Sequence, residues 1–175
     1  MRPGRYNLLS STRNAWFYKM TPIAATHRRT VGFALVAMQF ACLLLQANWA
    51  LPALARGHIP PSAWLLAAAC IALFLWILMH NRLGNFNIQP APKQDALLVT
   101  SGPYRWIRHP MYSALLLGSA PLASISAPLA GGLTWIGLAL VLWIKAQLEE
   151  QWMCEQHAGY RAYMQRSKRF VPWLL

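Results

Sequence analysis

Acidic residues are scarce in this 175-residue sequence. Only Asp95, Glu149, Glu150 and Glu155 oppose 16 lysines and arginines, which leaves a formal net charge of +12. Hydrophobic residues make up 57% of the chain, so it is not a disordered tail, because such segments contain few apolar side chains. A soluble nucleic-acid-binding domain is also disfavoured, since the basic residues lie between long stretches without any charge.

Cysteine is also scarce, and several familiar motifs are missing. Cys42 and Cys70 fall within apolar stretches and Cys154 lies near the C-terminus, so we expect no disulfide in a protein that faces the cytosol. The sequence has no zinc-type cysteine spacing, no P-loop and no glycine-rich dinucleotide motif. These absences remove the commonest sequence signatures of soluble enzymes.

What the chain does have is three long stretches without lysine, arginine, aspartate or glutamate. Residues 30–55 and 57–81 form stretches of 26 and 25 residues, and residues 110–144 form one of 35. About 20 apolar residues in a helix cross the ~30 Å hydrocarbon core of a bilayer. The first two stretches therefore predict one transmembrane helix each, and the third is long enough for two.

The third stretch contains the residues that a helical hairpin needs. Pro121, Pro128 and nearby serines and glycines predict a turn near its middle. We expect a short helix over 111–123 and a return helix over 129–150. The predicted fold is therefore all-α and polytopic, with about four transmembrane helices of which the last two form a hairpin.

Positive charges indicate how these helices are oriented. Six lysines and arginines lie in the first 30 residues and four between residues 82 and 108, whereas the hairpin turn has none. By the positive-inside rule we expect both termini in the cytoplasm, as in a bacterial inner-membrane protein. Residues 1–30 are then a basic cytoplasmic segment, and residues 31–175 form a single membrane domain.

The C-terminal segment alternates aromatic and basic residues. This pattern predicts a cytoplasmic interfacial helix with rings among the lipid headgroups and cations on anionic lipid. The apolar side chains concerned are Tyr160, Tyr163, Phe170, Val171 and Trp173.

A cleaved signal peptide is the alternative for the first apolar stretch. Its core is Val31–Leu45, with cleavage after Ala53-Leu54-Ala55. The basic segment before it is too long for an ordinary signal peptide, so the transmembrane interpretation is favoured.

Two polar clusters are expected to meet at one membrane face. The first, residues 102–112, leads into the hairpin, and the second contains Lys145, Glu149 and Glu150 at the end of the return helix. The two ends of an antiparallel hairpin are neighbours, and a spacing of four puts Lys145 and Glu149 on one helix face. Ionisable groups at such a boundary are candidates for function.

Each cluster also has a purely structural interpretation. Pro110 is suited to the first position of a helix, while Arg105 and Arg108 are suited to binding lipid phosphates. Glu149 and Glu150 are compatible with a solvated helix end, although the helix dipole disfavours acids there.

Taken together, the motifs of residues 80–173 resemble the isoprenylcysteine carboxyl methyltransferase family and its bacterial relatives. The resemblance rests on their order along the chain, namely Leu97-Leu98-Val99-Thr100-Ser101-Gly102-Pro103-Tyr104, Arg108-His109-Pro110-Met111-Tyr112, Lys145 with Glu149-Glu150, Tyr160-Arg161-Ala162-Tyr163 and Arg169-Phe170-Val171-Pro172. Integral-membrane sterol reductases, which use a nicotinamide cofactor, have a similar stretch.

The resemblance implies an integral-membrane methyltransferase that uses S-adenosylmethionine and acts on a lipophilic acceptor entering from the bilayer. Carried over by position, the cofactor contacts are Ala96, Leu97, Leu98, Val99, Tyr104, His109, Pro110, Met111, Tyr112 and Glu149. The family's substrate-contacting arginine falls on Lys145. Lysine lacks the forked guanidinium that grips a carboxylate at two points, which puts an isoprenylcysteine acceptor in doubt.

The chemistry of methyl transfer suits these residue types. A sulfonium cation is attracted to carboxylates and aromatic faces, here those of Glu149, Tyr104 and Tyr112. A carboxylate acceptor is already ionised and needs no general base, whereas an amine or thiol acceptor must lose a proton, with His109 or Glu150 as the candidate base.

Three alternatives are set against carboxyl methylation of an isoprenylcysteine-like or other small lipophilic acceptor. One is a phospholipid N-methyltransferase, another a lipid or sterol reductase using NADPH, and the third a non-enzymatic membrane module that only binds lipid headgroups. The expected partners are membrane lipid and a lipophilic or prenylated acceptor; nucleic acid is not expected.

Overall fold

Five helices make up the part of the chain that the structure describes. The computed structural model describes residues 22–57, 59–81 and 98–174, with side chains from residue 27 onward. The helices are α1 (Pro22–Ala55), α2 (Pro61–His80), α3 (Pro110–Ile125), α4 (Pro128–Gln156) and α5 (Tyr160–Arg166), and a 3-10 turn covers Gly102–Arg105. These ranges contain no β-strand, so the all-α prediction is confirmed.

Prolines mark where these helices begin. A proline at the first position loses no helical hydrogen bond, and its fixed φ suits the helix. The hairpin helices predicted over 111–123 and 129–150 each begin one residue earlier, and they end later, at Ile125 and Gln156. The four helices that begin in this way start at Pro22, Pro61, Pro110 and Pro128.

Three of the described helices are long and apolar enough to cross a membrane. They are His27–Ala55, Pro61–His80 and Pro128–Gln156. The helix α3 is apolar but has only 16 residues, about 24 Å against a hydrocarbon core of ~30 Å. The expected four spans therefore correspond to three full-length helices and one shorter apolar helix. The helix α1 begins at Pro22, ahead of the boundary expected at residue 30.

The helices α1 and α4 are longer than a bilayer core requires. They have 34 and 29 residues, or roughly 51 and 44 Å. The beginning of α1 meets the end of α4, where the Arg28 guanidinium donates to both oxygens of Glu155 at 2.8 and 3.1 Å. Arg28 also lies 5.5 Å from the ring centroid of Trp152. We call this end of the helix bundle its polar end.

Small residues allow the shorter helix α3 to pack closely between its neighbours. A Cβ on Gly118 would lie 2.7 Å from the Sγ of Cys70 in α2, and one on Gly131 would collide with the carbonyl oxygen of Ala123 across the hairpin turn. The indole of Trp135 in α4 donates to a backbone carbonyl of α3 at 3.0 Å. These contacts fix the hairpin and bring its two ends together.

Substitution of Gly102 tests how closely the 3-10 turn packs against His80 at the end of α2. Its φ is +58°, and a Cβ would collide with the imidazole of His80. We expect Gly102→Ala to lower the free energy of unfolding by about 1–2 kcal/mol for backbone strain and by about 1 kcal/mol more for displacing His80, whose Nδ1 bonds the Trp76 carbonyl at 3.0 Å.

The matched control for that substitution is Gly57→Ala. Gly57 has φ +68° with nothing within 4 Å of a Cβ, so only the backbone strain applies. Thermal unfolding of both variants in detergent measures the difference. Equal losses in the two variants would show that His80 does not restrict the turn.

Candidate active site

A short C-terminal strap holds the polar cluster in place. We give this name to residues 167–170, which run beside residues 106–109. The backbone N–H of Arg108 donates to Lys168 at 2.7 Å, that of His109 to Arg169 at 3.1 Å, and that of Lys168 back to Trp106 at 2.9 Å. The strap therefore positions His109 immediately before α3 begins.

His109 lies between the two adjacent glutamates of α4. Its Nδ1 is 3.2 Å from Oε2 of Glu149, and its Nε2 is 3.3 Å from Oε1 of Glu150. The imidazole is only 8% exposed. Both ring nitrogens carry a proton only in the imidazolium form, so this arrangement favours the charged histidine.

The electrostatics of the site agree with this geometry. Burial opposes the charged imidazole, but hydrogen bonds to Glu149 and Glu150 and the charges of these carboxylates more than offset burial, and the pKa of His109 is raised above its ordinary value of 6.5. The site therefore favours the charged form of His109 more than water does.

The raised pKa predicts a pH dependence of stability. The stabilisation from protonated His109 is fully present below pH 6.5, its ordinary pKa, and is lost as the pH rises through the raised value in the folded protein. We expect the melting temperature of the wild type to exceed that of His109→Gln most at low pH, with the difference shrinking above neutrality. Scans in detergent from pH 5 to 9 measure it; a difference that grows with pH would contradict the charged histidine.

Glu150 is the most heavily bonded acid in the described chain. Its carboxylate accepts from Nε of Arg108 at 2.7 Å and from Arg169 at 2.5 and 3.1 Å, besides facing His109. Its side chain is 4% exposed. Arg108 also donates to the backbone carbonyls of Met164 and Ser167. Glu150 thus joins α4, the segment before α3 and the strap.

Glu149 has a different environment. Its side chain is 20% exposed, and it accepts a hydrogen bond from the Tyr112 hydroxyl at 2.5 Å. The Tyr112 ring stacks on His109, with centroids 5.4 Å apart and an angle of 5°. This carboxylate has unused lone pairs and an open side, so it is the acid of the pair that a bound molecule can reach.

Lys145 lies beneath Tyr112, one turn before Glu149. Its ammonium is 5.1 Å from the Tyr112 ring centroid and donates to Oε1 of Gln39 in α1 at 2.7 Å. Lys145 is 2% exposed. The ammonium therefore connects α1 to the aromatic stack.

Tyr104 is held from two sides on the 3-10 turn. Its hydroxyl accepts from Nδ2 of Asn81 at 3.0 Å, and its backbone carbonyl accepts from the Tyr163 hydroxyl at 2.6 Å. Burial, only partly offset by the Asn81 hydrogen bond, raises the pKa of Tyr104 to about 12, and the charge of Glu149 adds to this. Tyr104 is thus a neutral phenol within the field of Glu149.

The structure brings together five of the ten predicted site residues that it describes. His109, Tyr112, Lys145, Glu149 and Glu150 form one contacting cluster. Pro110 is buried at the start of α3, with Met111 half-buried after it, and Leu98 and Val99 are half-buried ahead of the 3-10 turn. The predicted contacts Ala96 and Leu97 lie outside the described residues.

The structure contradicts one structural alternative for Arg108 and one prediction for the C-terminal aromatic residues. Arg108 binds Glu150 instead of lipid phosphate, because the hairpin brings this buried carboxylate within reach. The rings of Tyr160, Tyr163 and Phe170 are 3%, 6% and 7% exposed; they pack inside the protein, and only Val171 and Trp173 of the predicted interfacial set are exposed.

Sequence reasoning missed the supporting roles of several residues. Arg169 and Phe170 belong to the last motif of the family resemblance, but nothing in the sequence pairs them with α4 or with His109. Gln39 and Asn81 lie in or beside apolar helices, where a lone amide is a weak signal. Buried amides in such helices are nevertheless costly without a partner, and this signal points to both.

Comparison with known proteins gives one match. A family model described as phospholipid methyltransferase matches residues 62–159, more than half of the chain. The matched region runs from α2 to just beyond α4 and includes the His109 and Glu149–Glu150 cluster. Searches of curated proteins and of solved structures found no significant match.

Proposed function

Because the chain belongs to the phospholipid methyltransferase family, we propose that it is a membrane-embedded enzyme that transfers a methyl group from S-adenosylmethionine to a lipophilic acceptor. The observation that supports the proposal is the partly exposed Glu149 carboxylate at the polar end of the helix bundle, where it contacts Tyr112 and His109. Bound S-adenosylmethionine supplies an electrophilic methyl group on a positively charged sulfur.

The residues present fit such a cofactor. Glu149 offers a negative charge and free lone pairs to the cofactor's amine or ribose hydroxyls, and Tyr104 and Tyr112 offer aromatic rings beside a cationic sulfur. Leu98, Val99 and Met111 are half-buried, and we propose them as the apolar contacts of the cofactor. Ala96 and Leu97 stay proposed contacts on the resemblance alone.

Glu150 and His109 are proposed as positioning residues. Two arginines and His109 already surround the Glu150 carboxylate, and His109 faces a carboxylate with each nitrogen, so neither is free to take a proton. Their combined effect is to hold Glu149 and Tyr112 at fixed positions. Orientation of this kind contributes up to about 7–11 kcal/mol to lowering a reaction barrier.

The family and the position of Lys145 support a proposal for the acceptor class. A buried ammonium bonded to Gln39 is poorly placed to grip the carboxylate of an isoprenylcysteine, so we favour a phospholipid amine over a lipophilic carboxylate. A protonated headgroup amine must lose a proton before its nitrogen can attack the methyl group. We propose that Glu149, the more exposed carboxylate of the pair, accepts this proton.

Methyl transfer into lipid tests this function directly. The protein is reconstituted in nanodiscs of phosphatidylethanolamine, supplied with S-adenosylmethionine labelled in the methyl group, and the lipid is extracted and counted. We expect label in the phospholipid amine fraction. Label only on an added prenylcysteine would overturn the amine assignment, and oxidation of NADPH without methyl transfer would overturn the function.

A further inference from the structure

A second polar site lies on the opposite side of α4 from Tyr112. It is an open groove of about 700 Å³ between α4, α5 and the strap. Gln147 and Gln151 of α4, Arg161 and Met164 of α5, and Arg169 of the strap are among the residues that line it. The groove shares Glu150 and Arg169 with the network of the proposed active site, whereas Arg161 belongs to the groove alone.

The groove has more guanidinium groups than its carboxylates can pair with. Its two carboxylates are already bound to guanidinium groups, Glu155 by Arg28 and Glu150 by Arg108 and Arg169. Arg161 forms no ion pair or hydrogen bond with any residue that the structure describes, and Arg169 donates to Glu150 through Nε and Nη2 only. Arg161 and the Nη1 of Arg169 are therefore available to an anion.

A stripe of exposed apolar side chains leads directly to this groove. Along the outer face of α4, Leu133, Ile136, Leu140 and Ile144 are 60%, 52%, 59% and 45% exposed. The next residues on the same face, at helical spacings of three and four, are Gln147 and Gln151. The face of α4 thus changes from apolar to amide where the helix enters the groove.

From this juxtaposition we propose that the groove binds a glycerophospholipid of the bilayer, with its phosphate on Arg161 and Arg169 and an acyl chain along the apolar stripe of α4. Guanidinium groups pair with phosphate through two parallel hydrogen bonds, and the glutamine amides can donate to the remaining oxygens. A free phosphate would leave the stripe unused, which is why the occupant is a lipid. This inference concerns a peripheral site and does not depend on methyl transfer.

Native mass spectrometry of the detergent-purified full chain tests the proposal. The probes are phosphatidylglycerol, diacylglycerol with the same chains and glycerol phosphate. We expect the wild type to retain phosphatidylglycerol, and Arg161→Gln to bind it at least about tenfold more weakly, as expected for one lost charged hydrogen bond. The matched control is Arg166→Gln, which removes an exposed arginine of α5 that does not line the groove and should leave binding unchanged.

Four results would overturn it. Equal weakening by Arg161→Gln and Arg166→Gln would show general surface attraction. If diacylglycerol bound as tightly as phosphatidylglycerol, the groove would not recognise the phosphate. If glycerol phosphate bound as tightly as phosphatidylglycerol, the apolar stripe would not contribute to binding. A wild type that retains no phospholipid would end the proposal. Melting temperatures of both variants verify folding, and Gln151→Leu provides a second variant that should weaken binding.

Discussion

Glu150→Ala is expected to lower the free energy of unfolding by about 3–5 kcal/mol, the cost of breaking a buried ion pair by removing one partner. The reason is that three cationic side chains surround the Glu150 carboxylate. Its removal leaves Arg108, Arg169 and His109 near one another without their shared counterion. The strap then loses its ion pair with α4. Thermal or denaturant unfolding in detergent measures the loss.

The control for this experiment is Glu155→Ala, which lies five residues after Glu150 on the same helix α4. Glu155 also pairs with an arginine, but its side chain is 44% exposed, so we expect a loss of at most about 1 kcal/mol. Similar losses in the two variants would mean that the buried network contributes no more than a surface ion pair.

The second large effect is expected on activity. Glu149→Gln should lower the kcat/KM of methyl transfer about a hundredfold while leaving the fold intact, because glutamine has nearly the same shape but no charge. Hydrogen bonds to charged groups are worth about 1.5–3 kcal/mol, and about 1.4 kcal/mol corresponds to a factor of ten. The rate with labelled S-adenosylmethionine in nanodiscs provides the measurement.

Tyr112→Phe separates the charge of Glu149 from its positioning. It removes the 2.5 Å hydrogen bond from the hydroxyl to Glu149 but keeps a ring to stack on His109. We expect a smaller loss, about tenfold. Full activity in Glu149→Gln, or a greater loss in Tyr112→Phe than in Glu149→Gln, would contradict the role assigned to the carboxylate.

Much of the helical architecture could be predicted from the spacing of charges. Long uncharged stretches locate α1, α2 and the hairpin, and Pro110 and Pro128 locate the starts of α3 and α4 to within one residue. The sequence specifies the ends of α3 and α4 less sharply, since no glycine or proline follows the apolar part immediately. Helix α4 continues through its polar residues to Gln156 because they face the strap, α1 and the groove.

The candidate site was predictable in part for a physical reason. Two neighbouring acids in a chain with only four, close to a histidine across a hairpin, point to a cluster. The sequence could not tell that Arg108 and Arg169 serve this cluster, because an arginine beside aromatic residues looks the same whether it binds lipid or a buried carboxylate. That choice depends on the strap, which reaches His109 from far along the chain.

Lys145 illustrates the same limit. Its spacing from Glu149 correctly put both on one face of α4, and the resemblance suggested a substrate contact. Its burial and its bond to Gln39 depend on how α1 packs against α4, which the residues near Lys145 do not encode.

Equilibrium binding of labelled S-adenosylmethionine to the purified protein in nanodiscs measures whether Glu149 is part of a binding site for this cofactor. We expect saturable binding to the wild type and to Glu155→Gln, and an affinity about a hundredfold lower in Glu149→Gln. No saturable binding to the wild type, or equal affinity in the wild type and Glu149→Gln, would contradict it.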